Sequence, residues 1–190
     1  MDWLAVVWDP KMDVVGTTSA WVRRRLDDQG PDARGNPFDL LIGGSGVVPD
    51  VVWSALGARV LAWATDEWTV LAAAAAPSVT MASLMRRNPA ITHEDFVNHW
   101  RDRHAPLALR RHVGLIDYRQ LVVTRTLTAD TPEIDGIALL GFATRGDFET
   151  RFFDSDDGRA EIMQDVARFM DRPGPETTLI EPPGASRCPG

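Results

Sequence analysis

A single cysteine, Cys188, stands in 190 residues. One thiol excludes a disulfide within the chain and any metal site built on paired cysteines. Long apolar runs are missing too. The strongest, Val70 to Ala76, falls far short of the roughly 20 residues that a membrane-spanning helix needs. No basic segment leads into an apolar core at the N-terminus, so no secretion signal is read; a cytoplasmic protein without membrane contact is expected. Positive charge is also in deficit. Lysine and arginine total 20 against 27 acids, the net charge is −7 and the pI is near 5.0, a balance that argues against a nucleic-acid partner. The two arginine clusters, Arg23 to Arg25 and Arg101 to Arg111, sit among acids and read as solvated helix faces.

What is present points to a packed globular protein. Hydrophobic residues make up 44% of the chain, and its length suits one large domain or two small ones. In the first half, Trp3 to Trp8 reads as a strand. A helix is predicted from Ser19 to Gln29, with Trp21, Val22 and Leu26 inward, and Asp32 to Pro37 as a loop. Phe38 to Ile42 follows as a strand running into Gly43-Gly44-Ser45-Gly46. That cluster has neither the spacing nor the lysine of a phosphate loop and reads as a turn. Pro49 to Leu56 is a short helix and Arg59 to Ala64 a strand. Trp68 to Ala76 fits helix and strand alike.

The second half carries the chemistry-bearing residues. All four histidines, His93, His99, His104 and His112, fall between Val79 and His112. Val79 to Met85 alternates as a strand should, and Asn88-Pro89 turns the chain. Thr92 with Asp95 forms a capping box, so a helix begins at His93; Pro106 should end it near His104. A histidine at a helix C-terminus is free to swing its ring into a cavity, and the helix dipole favours its charged form. Strands are expected over Val113 to Thr126, which holds the only tyrosine, Tyr118, and over Ile137 to Ala143 and Thr177 to Ile180. Asp147 to Phe153 is a short helical piece. Ser155 caps a longer helix whose packed face is Met163, Val166, Ala167 and Met170.

This order, β-α-β-β-α-β, is that of a ferredoxin-like unit, whose sheet leaves one face bare for a second copy. Val60 to Trp68 is similar to Leu139 to Phe148, each following a strand-helix-strand run, which suggests an internal duplication. The expected architecture is therefore α+β, two ferredoxin-like repeats fused into one dimeric-type α/β barrel. Residues 1–77 form the degenerate half and residues 78–190 the complete one. A monomeric pseudo-dimer or a homodimer satisfies it.

Arg86-Arg87-Asn88-Pro89, Phe96, Trp100 and the run Arg101 to Pro106 together resemble the EthD family of small dimeric α+β barrels. Asp165, Arg168, Phe169 and Asp171 resemble a second block of that family, and Tyr118 with Gln120 resembles its Tyr-x-Gln strand. Where the family strand often continues to Asn-His, this chain has Leu121-Val122, so a second histidine is absent there. The resemblance implies a cavity between two sheets that takes a small, often aromatic or polyketide-like molecule. It also implies relatives that include cofactor-free isomerases, dehydratases and cyclases, alongside proteins of ether or aromatic degradation.

His104 is the first candidate. Its ordinary pKa near 6.5 suits proton transfer at carbon beside a carbonyl or to a leaving hydroxyl; the alternative is a ring that pins the helix end. Tyr118 is the second catalytic candidate, as a hydrogen-bond donor to a substrate oxygen, against the alternative of half-buried packing. Gln120 shares its face, Met81, Ser83 and Met85 share a strand face, and Arg86 suits a ligand carboxylate; these five are the substrate-binding candidates. Asp117 is expected to be solvated or paired with an arginine, and His93 and His99 to be exposed. No metal and no organic cofactor is expected. The leading function is a cofactor-free isomerase, lyase or cyclase acting on a small hydrophobic carbonyl compound. A ligand-binding protein without catalysis is the second class. An oxygen- or haem-linked oxidoreductase, with His104 as axial ligand, is the third.

Overall fold

The computed structural model describes residues 1–10, 21–26, 38–46, 53, 56–171 and 176–182. Eight antiparallel strands close into a barrel: β1 Trp3–Pro10, β2 Trp21–Arg25, β3 Leu40–Gly44, β4 Gly57–Leu71, β5 Val79–Met85, β6 Leu115–Thr126, β7 Gly136–Phe142 and β8 Glu176–Glu181. Around the ring they run β1-β3-β2-β8-β5-β7-β6-β4. Counted within each half, both sets of four strands follow the order fourth, first, third, second. Each seam joins a second strand to a fourth, β2 to β8 and β6 to β4.

Among the described residues, the helices with defined bounds come from the second half. α1 His93–His99 passes into a π-helical turn, Trp100–His104, and then into α2 Ala105–Arg111; α3 is Arg145–Arg151 and α4 Asp156–Phe169. Thr92 caps α1 through the expected box: its hydroxyl accepts from the Asp95 amide, and the Asp95 carboxylate accepts from the Thr92 amide. No helix among the described residues is long and apolar enough to cross a membrane.

Side-chain alternation along the strands sorts the core into three layers. Leu4, Val6, Leu61, Trp63, Leu84, Leu121 and Ile137 fill the barrel interior. Trp3, Ala5, Val7, Leu40 and Ile42 face outward on the first half and pack with Trp53 and Leu56, both helical. Val79, Met85, Tyr118, Val122 and Leu140 face outward on the second half, under Phe96, Trp100, Leu107 and Phe169 of the helices. β1 is buried on both faces, which explains its unbroken apolar run.

Three expectations change and one open reading is settled. Trp21–Arg25, placed in a helix by the spacing of Trp21, Val22 and Leu26, is a strand sealed between β3 and β8; pairing on both edges overrides the local pattern. The segment Trp68 to Ala76, open between helix and strand, is strand only as far as Leu71, the end of the 15-residue β4. The two similar segments lie at different places in the barrel, Val60 to Trp68 in a fourth strand and Leu139 to Phe148 in a third strand and α3. The space between the two sheets is occupied by the apolar interior layer, where an open cavity was expected. The predicted loop at Asp32 to Pro37, the rest of the predicted helix at Pro49 to Leu56, and Cys188 lie outside the described residues. Gly46 turns the chain with φ +84°, a conformation that suits glycine, and its amide donates to Asp2, a carboxylate that disfavours phosphate there.

Candidate functional site

Pro106 does not stop the helix at His104. In the π turn the Ala105 amide bonds back five residues to the Trp100 carbonyl, and Pro106 falls in the first turn of α2 directly after it, so the run continues past the proline. His104 is therefore held in the middle of a helical run, buried and facing α4, and not at a free helix end.

The turn has a second effect. Residues five apart on a regular α-helix point about 140° from each other, but bonding from i to i+5 draws them toward one face. His99 and His104 thereby reach one carboxylate. Asp165 Oδ1 lies 2.9 Å from His99 Nε2, and Asp165 Oδ2 lies 2.9 Å from His104 Nδ1. Phe169, one turn further along α4, stacks on His99 at 4.9 Å and packs on His104 at 5.1 Å. Burial pushes the Asp165 carboxyl up, but the bonds from His104 and His99 outweigh it and hold it below the ordinary carboxylate value. An ionised carboxylate only accepts, so both rings donate to it. His99 Nδ1 and His104 Nε2 have no partner among the described residues.

A groove of about 560 Å³ opens beside this unit, with His99, Asp102, Arg103, Arg168 and Phe169 among its walls. Arg168 stands 3.9 Å from Asp165. The groove can hold a small molecule against one imidazole, two guanidinium groups and the carboxylates of Asp95 and Asp102.

A second polar group lies on the sheet side of the same helix. Trp100 Nε1 donates to the Tyr118 hydroxyl at 3.0 Å; Gln120 Nε2 donates to that hydroxyl and to the Trp100 carbonyl, each at 3.0 Å. Tyr118 and Gln120 are both fully enclosed, and burial pushes the Tyr118 phenol up to about 12 against the opposing bonds from Gln120 and Trp100. Gly136 makes this packing possible, since a Cβ there would stand 2.5 Å from the Trp100 ring.

The candidates thus divide. Tyr118 and Gln120 are joined through Trp100; His104 belongs with Asp165 and His99. Met81, Ser83 and Met85 share the helix-facing side of β5, with Ser83 Oγ 3.3 Å from the Thr177 hydroxyl of β8. Arg86 lies just past the end of β5, exposed, and its carbonyl accepts from the Asp171 amide at 2.9 Å. Asp117 is paired with Arg119 at 3.1 Å but buried. His93 is exposed and bonds Asp135 at 2.8 Å; His99, expected to be exposed, is half-buried. His112 is buried, and its Nδ1 donates to the Phe152 carbonyl. Among the described residues no group of three or more His, Cys, Asp or Glu side chains is placed to hold a metal ion.

Sequence reasoning missed the partner, Asp165. It lies on the buried face of α4 with Gly158, Ile162 and Phe169, while Met163, assigned to the packed face, is 40% exposed. A carboxylate counts as polar in any periodicity count, so the true face was hidden. The signal available was the block of Asp165, Arg168 and Phe169 that resembled a known family.

Residues 88–173 match the EthD domain. A crystal structure described as an anthrone oxidase-like protein superposes with a TM-score of 0.60 at 12% identity, covering 95% of this chain and 89% of that one, a likeness of fold alone. No curated protein matches the sequence.

Proposed function

Because residues 88–173 match the EthD domain, we propose that this chain is a small-molecule enzyme of that family that moves protons by histidine acid–base chemistry, with neither metal nor organic cofactor. The observation that carries this reading is the Asp165 carboxylate shared by His99 and His104 beside an open groove. A carboxylate that fixes the donor nitrogen of an imidazole leaves the other nitrogen as a base, and the negative charge steadies the imidazolium formed. The proposed substrate is a hydrophobic carbonyl compound of aromatic or polyketide-like type. The base takes a proton from the carbon beside the carbonyl, Arg103 and Arg168 balance the charge on the enolate oxygen, and the proton returns at another carbon or leaves with a hydroxyl as water. His104 retains the acid–base role proposed for it, now through Asp165 in company with His99. Tyr118 and Gln120 enter as groups for a substrate oxygen, with Met81, Ser83 and Met85 two strands away on β5.

The shared strand order of the two halves supports a related proposal: the chain is a fused pair of ferredoxin-like repeats, 1–77 and 78–190, of which the second holds the site.

The test is carbon-acid exchange. Protein dialysed against EDTA is incubated in D2O with cyclic 1,3-diketones and aryl ketones, and deuterium uptake is read by mass spectrometry. Enzyme-dependent uptake that His99→Gln and His104→Gln abolish supports the reading. Binding without uptake makes the chain a ligand carrier, and uptake untouched by either substitution removes the histidines from the mechanism. A second reading, oxygen-linked oxidation, is favoured by the description of the superposed structure and starts from the same deprotonation. Oxygen consumption measured with the same compounds separates the two.

A further inference from the structure

The groove carries balanced charge, the guanidinium groups of Arg103 and Arg168 against the carboxylates of Asp95 and Asp102. Two of these four are committed. Asp95 sits in the first turn of α1, where the helix dipole favours an anion, and accepts from the Thr92 amide and hydroxyl. Arg168 stands beside Asp165. Asp102 and Arg103 are left, both exposed, and neither side chain has a hydrogen bond or an ion pair among the described residues. Elsewhere on the helices of this half such groups find each other: Arg111 lies 2.8 Å from Asp154, Arg145 2.7 Å from Glu149 and Arg151 2.8 Å from Asp147. The π turn explains how two neighbours in sequence line one groove. On a regular α-helix they point about 100° apart and do not face each other; a π turn holds more residues, so Asp102 and Arg103 diverge less.

We infer that Asp102 and Arg103 together hold a zwitterion: the substrate is an aryl ketone bearing an ammonium and a carboxylate on one carbon, the ammonium donating to Asp102 and the carboxylate accepting from Arg103. The balance of the walls carries this. A plain anion drawn to Arg103 meets Asp102 beside it, and a plain cation drawn to Asp102 meets Arg103; a molecule with both charges satisfies each group and opposes neither.

The inference deepens the proton-transfer reading and rests on it for the ketone. It divides the guanidinium groups, Arg103 for the carboxylate and Arg168, beside Asp165, for the enolate oxygen. The scale fits. His99 lies one helical turn before Asp102 and Arg103, about 5 Å along the axis. In such a ketone the carbon that gives up its proton lies between the carbonyl and the charged carbon, two bonds from the ammonium nitrogen and two from the carboxylate carbon. A hydrogen bond of about 2.8 Å to Asp102 covers the rest of that turn. Ile91 and Phe169 offer the aryl ring an apolar wall.

The test is calorimetry on the full chain with 3-benzoylalanine as probe. Its controls are 3-benzoylpropanoate, which lacks the ammonium, and 3-aminopropiophenone, which lacks the carboxylate. Wild-type protein binds the probe at least about tenfold more tightly than either control. Asp102→Asn removes the margin over 3-benzoylpropanoate, and Arg103→Gln removes the margin over 3-aminopropiophenone; both residues are exposed, so the variants keep the fold, as melts verify. His104→Gln keeps the affinity and loses deuterium uptake beside the ketone. Margins that stand while the wild type takes up no deuterium remove proton transfer and leave the zwitterion site in place, so the two failures are distinct. No binding by the wild type, a singly charged control that binds as tightly as the probe, or margins unmoved by both Asp102→Asn and Arg103→Gln would each overturn the proposal.

Discussion

At the scale of the residue, burial decides which groups titrate. Tyr118 is the only tyrosine, so its ionisation is read without interference as absorbance at 295 nm. With its phenol pushed up to about 12, no phenolate signal should develop at pH 10 to 11 in the folded protein; a rise centred near pH 10 would mean that the hydroxyl is solvated. His112 is the acid-side counterpart. Burial, opposed by its bond to the Phe152 carbonyl, lowers it to about 4, below the unfolded value near 6.5. Between those two values the unfolded chain binds the extra proton. Stability contributed by neutral His112 is thus complete above about pH 6.5 and is lost as pH falls through about 4, by roughly 3 kcal/mol in all. Denaturant melts across that range should show the slope, and His112→Phe should flatten it. Residue type alone carried some of this. The histidine before the Ala-Pro step was singled out as a candidate, but its partner was not, because Asp165 lies 61 positions away and looks solvent-facing in any local pattern.

At the scale of the element, local signals were read well where local forces decide. The capping box at Thr92, the alternating strand Val79–Met85 and the Ser155 cap all stand as expected. Failures came where tertiary contacts decide. Trp21–Arg25 is held as a strand by partners on both sides, and the proline-bearing stretch is absorbed by a π turn that no α-helical periodicity describes. That turn aims Trp100 at the sheet and both imidazoles at α4. Gly136 is its counterpart below. Gly136→Ala forces a methyl against the Trp100 ring, so it should cost about 1–3 kcal/mol in a denaturant melt and let Tyr118 titrate at lower pH. A variant as stable as the parent would show that the indole is loosely seated.

At the scale of the molecule, the first half is a structural partner of the second. Leu4, Val6, Leu61 and Trp63 cover Leu84, Leu121, Ile137 and Ile180 inside the barrel. A fragment spanning 78–190 should therefore self-associate or bind a hydrophobic dye, as seen by sedimentation and fluorescence; a cooperative, dye-silent monomer would deny that interdependence. The barrel class was legible from element order, since the bare face of one ferredoxin-like sheet demands a cover. The filled interior was not, because packing volume leaves no trace in a hydropathy pattern. What the whole arrangement accomplishes is to hold two imidazoles on one carboxylate, one of them, His99, on the wall of a groove. The most direct measurement of that claim is the rate of solvent-deuterium uptake by a carbonyl substrate with Asp165→Asn in the intact chain. The account predicts a fall of about a hundredfold or more with the melting temperature little changed. Uptake as fast as that of the unaltered protein would contradict it.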